Sequence, residues 1–352
     1  MNQDNYLVAD QLHREIKPLA RSVVSQQYEQ HPKLWERYGS SGYEKCVQDT
    51  ESHLAYLFEA LTSSSIPLFT DYIRWASVLF NALKVPPQDL AANLEATRTV
   101  LSERMIPSDV PLVVEYLNAG IALLSGDPFI LKSFIDPSAP LGALARNYLD
   151  ALLHANISEA TESVFEAVRS GTPVSEIYQN VLMPSQRELG RLWQTNQISV
   201  AHEHYCTAAT QRIMAQLYPT ISGTPRIGRR MVGACVSGEL HDMGMRMVTD
   251  TFEMQGWDTF YIGANTPLRS LLAILTERKP DVLALSATIT YHLGKIREII
   301  AAVRANDDFE RIRIIVGGYP FNVSPRLWRD IGADGYAPDS NQAVQLAQEL
   351  VQ

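Results

Sequence analysis

The chain has 352 residues, 46 % of them hydrophobic and 20 % charged, with 30 Lys and Arg against 39 Asp and Glu and a formal net charge of −9. That length suits two or three domains of roughly 100–200 residues each, and the acidic balance disfavours nucleic acid or an anionic membrane as a direct partner. The opening MNQDNYLVADQLHREIKPLA is too polar for a secretory leader, no apolar run approaches the roughly 20 residues that span a bilayer, and Cys46, Cys206 and Cys235 lack the spacing of a disulfide framework or a zinc site. A soluble, cytoplasmic protein is expected.

Residues 1 to about 126 read as wholly helical. HLAYLFEAL and FTDYIRWASVLFNAL repeat apolar residues at i, i+3, i+4 and i+7. Gly and Pro stops fall at Gly39–Gly42, Ser63–Pro67, Val85–Pro87 and Ile106–Pro111, which leaves five or so helices. DPFILKSFIDPS (127–138) reads as a linker. Four helices follow over 139–220, the second starting at Asn156–Glu159 and stopping at Gly171, and the third kinked by Pro184. From 223 onward strands and helices alternate, with strands near 230–236, 258–262, 281–286, 312–316 and 334–337. Alternation of this kind predicts a parallel sheet wound on both faces. The expected fold is therefore multidomain α and α/β: an N-terminal all-α domain (1–138), a four-helix bundle cap (139–222) and a doubly wound, Rossmann-like parallel-sheet domain (223–352).

The chemistry concentrates where the first strand, MVGACV, ends in the turn SGELHD. Ligands of open α/β sheets bind at the carboxyl ends of strands, and His241 in this turn is placed to project from the fold as a metal ligand. Glu239, two residues earlier, can bond the far ring nitrogen and fix the tautomer. Asp242 and Gly244 complete the turn. A lone His after a strand is usually a turn residue or a helix cap, but small residues recur at the next strand ends. Ser286, Ala287 and Thr288 close DVLALSAT, Gly317 and Gly318 close IRIIVGG, and GADGY spans Gly332 to Tyr336. Such residues let a backbone approach a bulky ligand closely. Upstream, Trp193 is followed after nine residues by Glu203 and His204, across a joint between two helices near Thr195–Ser199.

The turn resembles the cobalamin signature Asp-x-His-x-x-Gly, with Glu in place of Asp as in cobalamin-dependent photoreceptors. The upstream segment resembles the Trp-x9-Glu-His motif of the CarH type. The resemblance covers residues from about 139 to 352. It implies His241 as the lower axial cobalt ligand oriented by Glu239, and a cofactor site that also takes in Asp242 and Gly244. It further implies that Ser286, Thr288, Gly317 and Gly318 admit the nucleotide tail, and that Trp193, Glu203 and His204 cap the upper face of adenosylcobalamin. CarH-type proteins carry a second His directly after the Trp, where this chain has Gln194, so His202, His204 or water would have to take an upper ligand's place after light exposure.

Residues 1–136 hold 11 Lys and Arg against 17 Asp and Glu, with no basic stripe for a DNA reader. This region resembles, less specifically, the helical region of photocobilins, which combine cobalamin with a linear tetrapyrrole such as biliverdin. His53, Tyr56, Tyr72 and Trp75 would wall a bilin slot, and Arg74 would meet one propionate. The alternative is a helical dimerisation or sensor domain with core aromatics, and Cys46 reads as an inert thiol. The expected function is light sensing through adenosylcobalamin, and through biliverdin if the helices hold it, relayed by oligomerisation or a partner regulatory protein and without enzymatic activity. Two rivals remain: a corrinoid methyl carrier of a methyltransferase system, which shares the bundle and the sheet but normally has no long N-terminal domain and no Trp-x9-Glu-His cap, and a cobalamin- or haem-binding antirepressor, which could share every motif.

Overall fold

The computed structural model describes residues 14–352; most of the polar opening stretch, up to residue 13, lies outside them. By density of internal contacts the described chain divides into two compact units. The first runs through Phe129 and takes in Thr288–Arg297 and Tyr319–Gly332, and the second comprises Ile130–Ala287, Glu298–Gly318 and Ala333–Gln352.

Among the described residues up to Phe129, the first unit is built on the helices α1 (Ile16–Gln30), α2 (Lys33–Thr62), α3 (Ile66–Ala82), α4 (Pro87–Arg104) and α5 (Val110–Leu124). The stops fall where the sequence puts them. Gly39, at φ 61°, breaks α2 internally, and Pro67, Pro87 and Pro111 open α3, α4 and α5. A proline is tolerated in a first turn, because the N–H it lacks has no intrahelical partner there. Leu54, Leu57, Phe58, Phe69, Ile73, Leu94 and Leu117 are buried in this unit. The Glu59 carboxylate is buried with them, against the Arg297 guanidinium and the Ser63 hydroxyl. It also accepts the Gly294 backbone N–H. Burial pushes the Glu59 carboxyl up, and Arg297 opposes that shift.

The second unit holds a helical bundle and the sheet. The bundle comprises α6 (Gly142–Leu153), α7 (Ile157–Arg169), a third helix in pieces and α10 (Val200–Ile221). Asn156 caps α7 through Glu159 N–H, and Ser199 caps α10 through His202 N–H. The third helix is α8 (Val174–Ile177), then a π-helical segment over Tyr178–Leu182, then α9 (Met183–Gln194). The kink expected at Pro184 takes this form: proline offers no N–H to the carbonyl four residues back, and the turn just upstream widens.

The sheet has five parallel strands in the order β2-β1-β3-β4-β5. They are β1 (Arg230–Val236), β2 (Asp258–Thr266), β3 (Val282–Ser286), β4 (Arg313–Gly317) and β5 (Gly335–Tyr336), with α11 (Met243–Met254) after β1, α12 (Leu268–Arg278) after β2, α13 (Leu293–Arg304) after β3, the short α14 (Tyr319–Val323) and α15 (Leu327–Asp330) after β4, and α16 (Ser340–Leu350) last. Every residue of β3 is buried, as expected of a central strand covered on both faces. This is the doubly wound, Rossmann-like architecture expected from the alternation, in flavodoxin-like order. Its strand order reverses between β1 and β3, and ligands of such sheets bind at that reversal. Met247 of α11 packs into the bundle core with Tyr148, Ile177, Ile213 and Leu217, so bundle and sheet share hydrophobic surface within this unit.

Candidate cofactor site

The β1–α11 turn lies at the carboxyl end of β1, beside the reversal. Its backbone is tied on two sides. Gly238 N–H donates to Asn265 Oδ1 at 2.8 Å, and Asn265 N–H donates to the Glu239 carbonyl at 2.9 Å. The Glu239 side chain is wholly buried, while that of His241 is 60 % exposed. One carboxylate oxygen, Glu239 Oε1, accepts the His241 backbone N–H at 3.0 Å and lies 2.6 Å from His241 Nδ1. With Nδ1 held by the carboxylate, Nε2 on the opposite side of the ring is left to coordinate. The hydrogen bond to Glu239 raises the His241 pKa against the opposing effect of burial, and the charges of Glu239, Glu203 and Asp242 add to the rise. The same charges make the neutral ring a stronger donor to a metal.

Asp242 carries the next set of bonds. Tyr261 Oη donates to its Oδ2 at 2.7 Å, and Gln211 of α10 donates to its Oδ1 at 3.4 Å. Gly244 follows in the first turn of α11, where an added Cβ would meet no atom within 4 Å. The protein therefore leaves open the space beside the His241 turn. Leu240 is 72 % exposed in the same turn, an apolar side chain suited to cover by a large ligand.

At the neighbouring strand ends, Ser286 pairs in register with Cys235 on one side and Gly317 on the other. Gly318 has φ +104°, and a Cβ there would lie 2.0 Å from the Ala287 carbonyl oxygen. That glycine is required by backbone packing before any ligand is considered. A Cβ added at Gly317 would lie 3.3 Å from the Ala337 carbonyl oxygen. Thr288 opens the segment that belongs to the first unit, whereas Ser286, Gly317 and Gly318 belong to the second.

From the bundle, the Glu203 carboxylate near the start of α10 accepts from Thr207 Oγ1 at 2.9 Å, and Thr207 Oγ1 also lies 3.0 Å from Gln186 Oε1. The Glu203 carboxylate is close enough to act on the His241 pKa, so the fold brings together these two residues from separate motifs. Trp193 is half-buried near the end of α9. The His204 side chain is 75 % exposed, with Nε2 3.6 Å from Glu203. His202 is exposed and bound through Nδ1 to Ser199, and Gln194 is buried.

Of the residues expected to hold a bilin, His53 and Tyr72 come together in the core of the first unit, Nδ1 to Oη at 2.8 Å. Tyr56 stacks on Tyr72 at 3.7 Å, and Trp75 lies beyond at 6.2 Å. Arg74 is exposed and sits over the Phe129 ring, two residues and more than half a helical turn from Tyr72. Cys46 is part-buried, and burial pushes its thiol up to about 12, so it is not a ready nucleophile.

The family models match the chain between residues 144 and 345. A B12 binding domain model matches residues 229–345, and a second B12 binding domain model matches 144–218. Dimethylamine corrinoid protein 3 of Methanosarcina mazei is 30 % identical over 139 residues, 39 % of this chain and 81 % of that protein. The chain belongs to the B12-binding corrinoid protein family. Dimethylamine corrinoid protein 3 of Methanosarcina acetivorans is 28 % identical over 212 residues, 58 % of this chain and 98 % of that protein. The HTH-type transcriptional repressor CarA of Myxococcus xanthus is 29 % identical over 166 residues, 47 % of this chain and 54 % of the repressor. Among solved structures, the monomethylamine corrinoid protein of Methanosarcina barkeri shares the fold with TM-score 0.54 and 20 % identity, covering 60 % of this chain and all of that one.

The chain is a cobalamin-binding protein. Its residues fit the group. His241, an exposed imidazole oriented by the buried Glu239 carboxylate, would hold the cobalt, and the open space beside Gly244 would leave room around it. Sequence reasoning missed Tyr261, Asn265 and Gln211. Asn265 had a signal: it follows Gly263 in GANTP and adopts φ +50°, a conformation Asn tolerates better than most residues. Tyr261 and Gln211 had none, because their partner Asp242 lies 19 and 31 residues away.

Proposed function

We propose that this chain is a corrinoid carrier. It holds cobalamin with the cobalt on His241 Nε2 and presents the upper ligand to a methyltransferase partner, catalysing no turnover itself. In this reading residues 223–352 hold the cofactor, 139–222 cap it and 1–138 face a partner. The Glu239–His241 pair carries the reading: a buried carboxylate accepts a 2.6 Å hydrogen bond from Nδ1 of an exposed ring at the strand reversal. Correspondence with 98 % of the length of a dimethylamine corrinoid protein supports the carrier role over other uses of the cofactor. Bound cobalamin supplies a cobalt-linked alkyl group that can be transferred or released by light. The chain's own residues orient the lower ligand, shelter the upper face and exclude water from it.

A second reading, light sensing with adenosylcobalamin, is favoured by a separate observation. Trp193 precedes Glu203 and His204 at the spacing of the CarH-type cap, and the Glu203 carboxylate acts on His241. It draws further support from the CarA relative. In this reading the protein works in the cytoplasm and signals through a regulatory partner or a second copy, with no direct contact to nucleic acid or membrane. Biliverdin would occupy the first unit, and it would have to part the Tyr56–Tyr72 stack to enter.

The two readings separate in one series of measurements on the full-length protein. Apo-protein is titrated with methylcobalamin and adenosylcobalamin in the dark, then sedimented before and after green light. A carrier binds both with comparable affinity and keeps its mass in light. A sensor prefers adenosylcobalamin by about tenfold or more, roughly 1.4 kcal/mol, loses that preference in Trp193→Ala and changes its assembly in light. Added biliverdin that yields a sharpened red band, absent in His53→Ala, extends the sensor reading to the first unit; no band removes biliverdin from it.

A further inference from the structure

We propose that Tyr261 is a positioning residue for the cobalt ligand, acting through Asp242, and that Asp250 and Tyr178 carry the same tether into the bundle. The inference rests on the reading of His241 as the lower ligand. Asp242 follows His241 directly, so whatever fixes Asp242 fixes the C-terminal side of the ligand's backbone. Glu239 fixes the other side through the His241 N–H.

Three groups converge on Asp242. Tyr261 Oη donates to Oδ2 at 2.7 Å, Gln211 Nε2 donates to Oδ1 at 3.4 Å, and Arg246 N–H donates to the backbone carbonyl at 2.9 Å. The Tyr261 bond is the short one, and a hydrogen bond to a charged acceptor is stronger than a neutral one. Tyr261 is fixed in turn. It lies on β2, whose register with β1 pairs Gly233 with Tyr261, and the Arg246 guanidinium covers its ring at 5.3 Å. Arg246 Nε donates to Asp250 Oδ1 at 3.2 Å, and Tyr178 Oη donates to Asp250 Oδ2 at 2.9 Å. Asp250 and Tyr178 are both buried. Tyr178 is the first residue of the π-helical segment, and such segments concentrate at functional positions. A continuous run of polar contacts therefore leads from the ligand turn, across strand β2 and helix α11, to the irregular turn of the bundle. A second bond between bundle and α11 lies outside this run: Tyr218 Oη donates to the Glu253 carboxylate at 3.1 Å.

The test uses full-length protein labelled with 15N-histidine and saturated with hydroxocobalamin that is then reduced to the cobalt(II) state. Electron paramagnetic resonance reads whether the axial nitrogen on cobalt is the labelled one, and hence the fraction of protein with histidine on the metal. Tyr261→Phe keeps the ring and its cation contact and removes only the hydroxyl. The fraction ligated by labelled histidine is expected to fall, with affinity for hydroxocobalamin weaker by about fivefold, within the cost of one hydrogen bond. Tyr178→Phe is expected to move the same signal in the same direction by less. Tyr218→Phe is the control and is expected to leave it unchanged. An unchanged signal in Tyr261→Phe, or an equal fall in Tyr218→Phe, overturns the proposal. His241→Ala distinguishes this failure from failure of the underlying reading: if that variant retains the labelled-histidine coupling, His241 is not the ligand and both statements fall.

Discussion

In the turn after β1, an imidazole stands 60 % exposed with Nδ1 on a buried carboxylate. In the core of the first unit, another imidazole is 3 % exposed with Nδ1 on a phenol. Both rings have one short partner at the same nitrogen, and their proton affinities move in opposite directions. The hydrogen bond that His241 donates to Glu239 raises the pKa of His241, while burial, with no charge to offset it, lowers that of His53 to about 4. The partner's charge and access to water decide the difference. An anionic partner and an open face make a ring able to take up a proton or a metal. A neutral partner in a dry core makes a structural ring, which argues against reading every helical His as a ligand.

The largest expected effect tests the buried member. His53 is neutral in the folded state down to about pH 4, whereas in the unfolded chain it protonates near its ordinary value of about 6.5. At pH 7 it is neutral in both states and contributes no pH dependence. As pH falls through about 6.5 the unfolded chain takes up a proton that the folded chain refuses, so stability declines, by about 3 kcal/mol once pH reaches 4. Hydrogen exchange of α2 and α3 amides, corrected for intrinsic rate, should show this loss between pH 6.5 and 4. His53→Phe should lack that component of the slope. An equal slope in the variant would mean that His53 is protonated in the fold and that the contrast with His241 is false.

The exposed member is tested next. His241→Ala should weaken cobalamin binding by about 100-fold, roughly 2.7 kcal/mol, and Glu239→Gln by about tenfold, in the range seen when a partner behind a metal-bound histidine is lost. The ranking matters more than either figure. If Glu239→Gln costs as much as His241→Ala, the carboxylate does more than orient the ring; if it costs nothing, burial of Glu239 serves the fold alone. Absorbance titration of purified apo-variants reads both.

How far the sequence reveals these sites follows from the range of the interactions. The strands, the helix stops and the Glu-x-His turn were all legible, because strand alternation, proline stops and a two-residue spacing are local signals. The same holds for Asn156 as a cap and Gly171 as a stop. Gly318 was legible as a small residue closing a strand; that only glycine fits there was not, since the reason is the Ala287 carbonyl oxygen, 2.0 Å from where a Cβ would lie. The Tyr261–Asp242 bond was not legible, since only the β1–β2 register brings the two together. Nor was the first unit's claim on the segments after β3 and β4, because Glu59 meets Arg297 across 238 residues. For His53, the aromatic neighbours were legible in the sequence, but its bond to Tyr72 in the buried core was not.

The smallest expected effect asks how independent the two histidine environments are. Tyr56 stacks on Tyr72 with ring centroids 3.7 Å apart and planes 12° off parallel, and Tyr291 meets Tyr56 edge-on at 5.4 Å. Aromatic pairs of this kind add about 0.5–1.5 kcal/mol beyond burial. Tyr56→Leu keeps an apolar side chain in the half-buried site and removes both ring contacts. It should lower the local stability of α2 and α3 by about 1 kcal/mol and leave the Tyr72–His53 bond in place, because the helices bury both of those groups. Exchange rates of the α2 and α3 amides measure the first effect. The acid slope assigned to His53 measures the second: it should persist in Tyr56→Leu, since replacing a stacked ring by Leu keeps water from the imidazole. If the slope disappears together with the stack, the aromatic layer rather than burial by the helices is what holds His53 neutral.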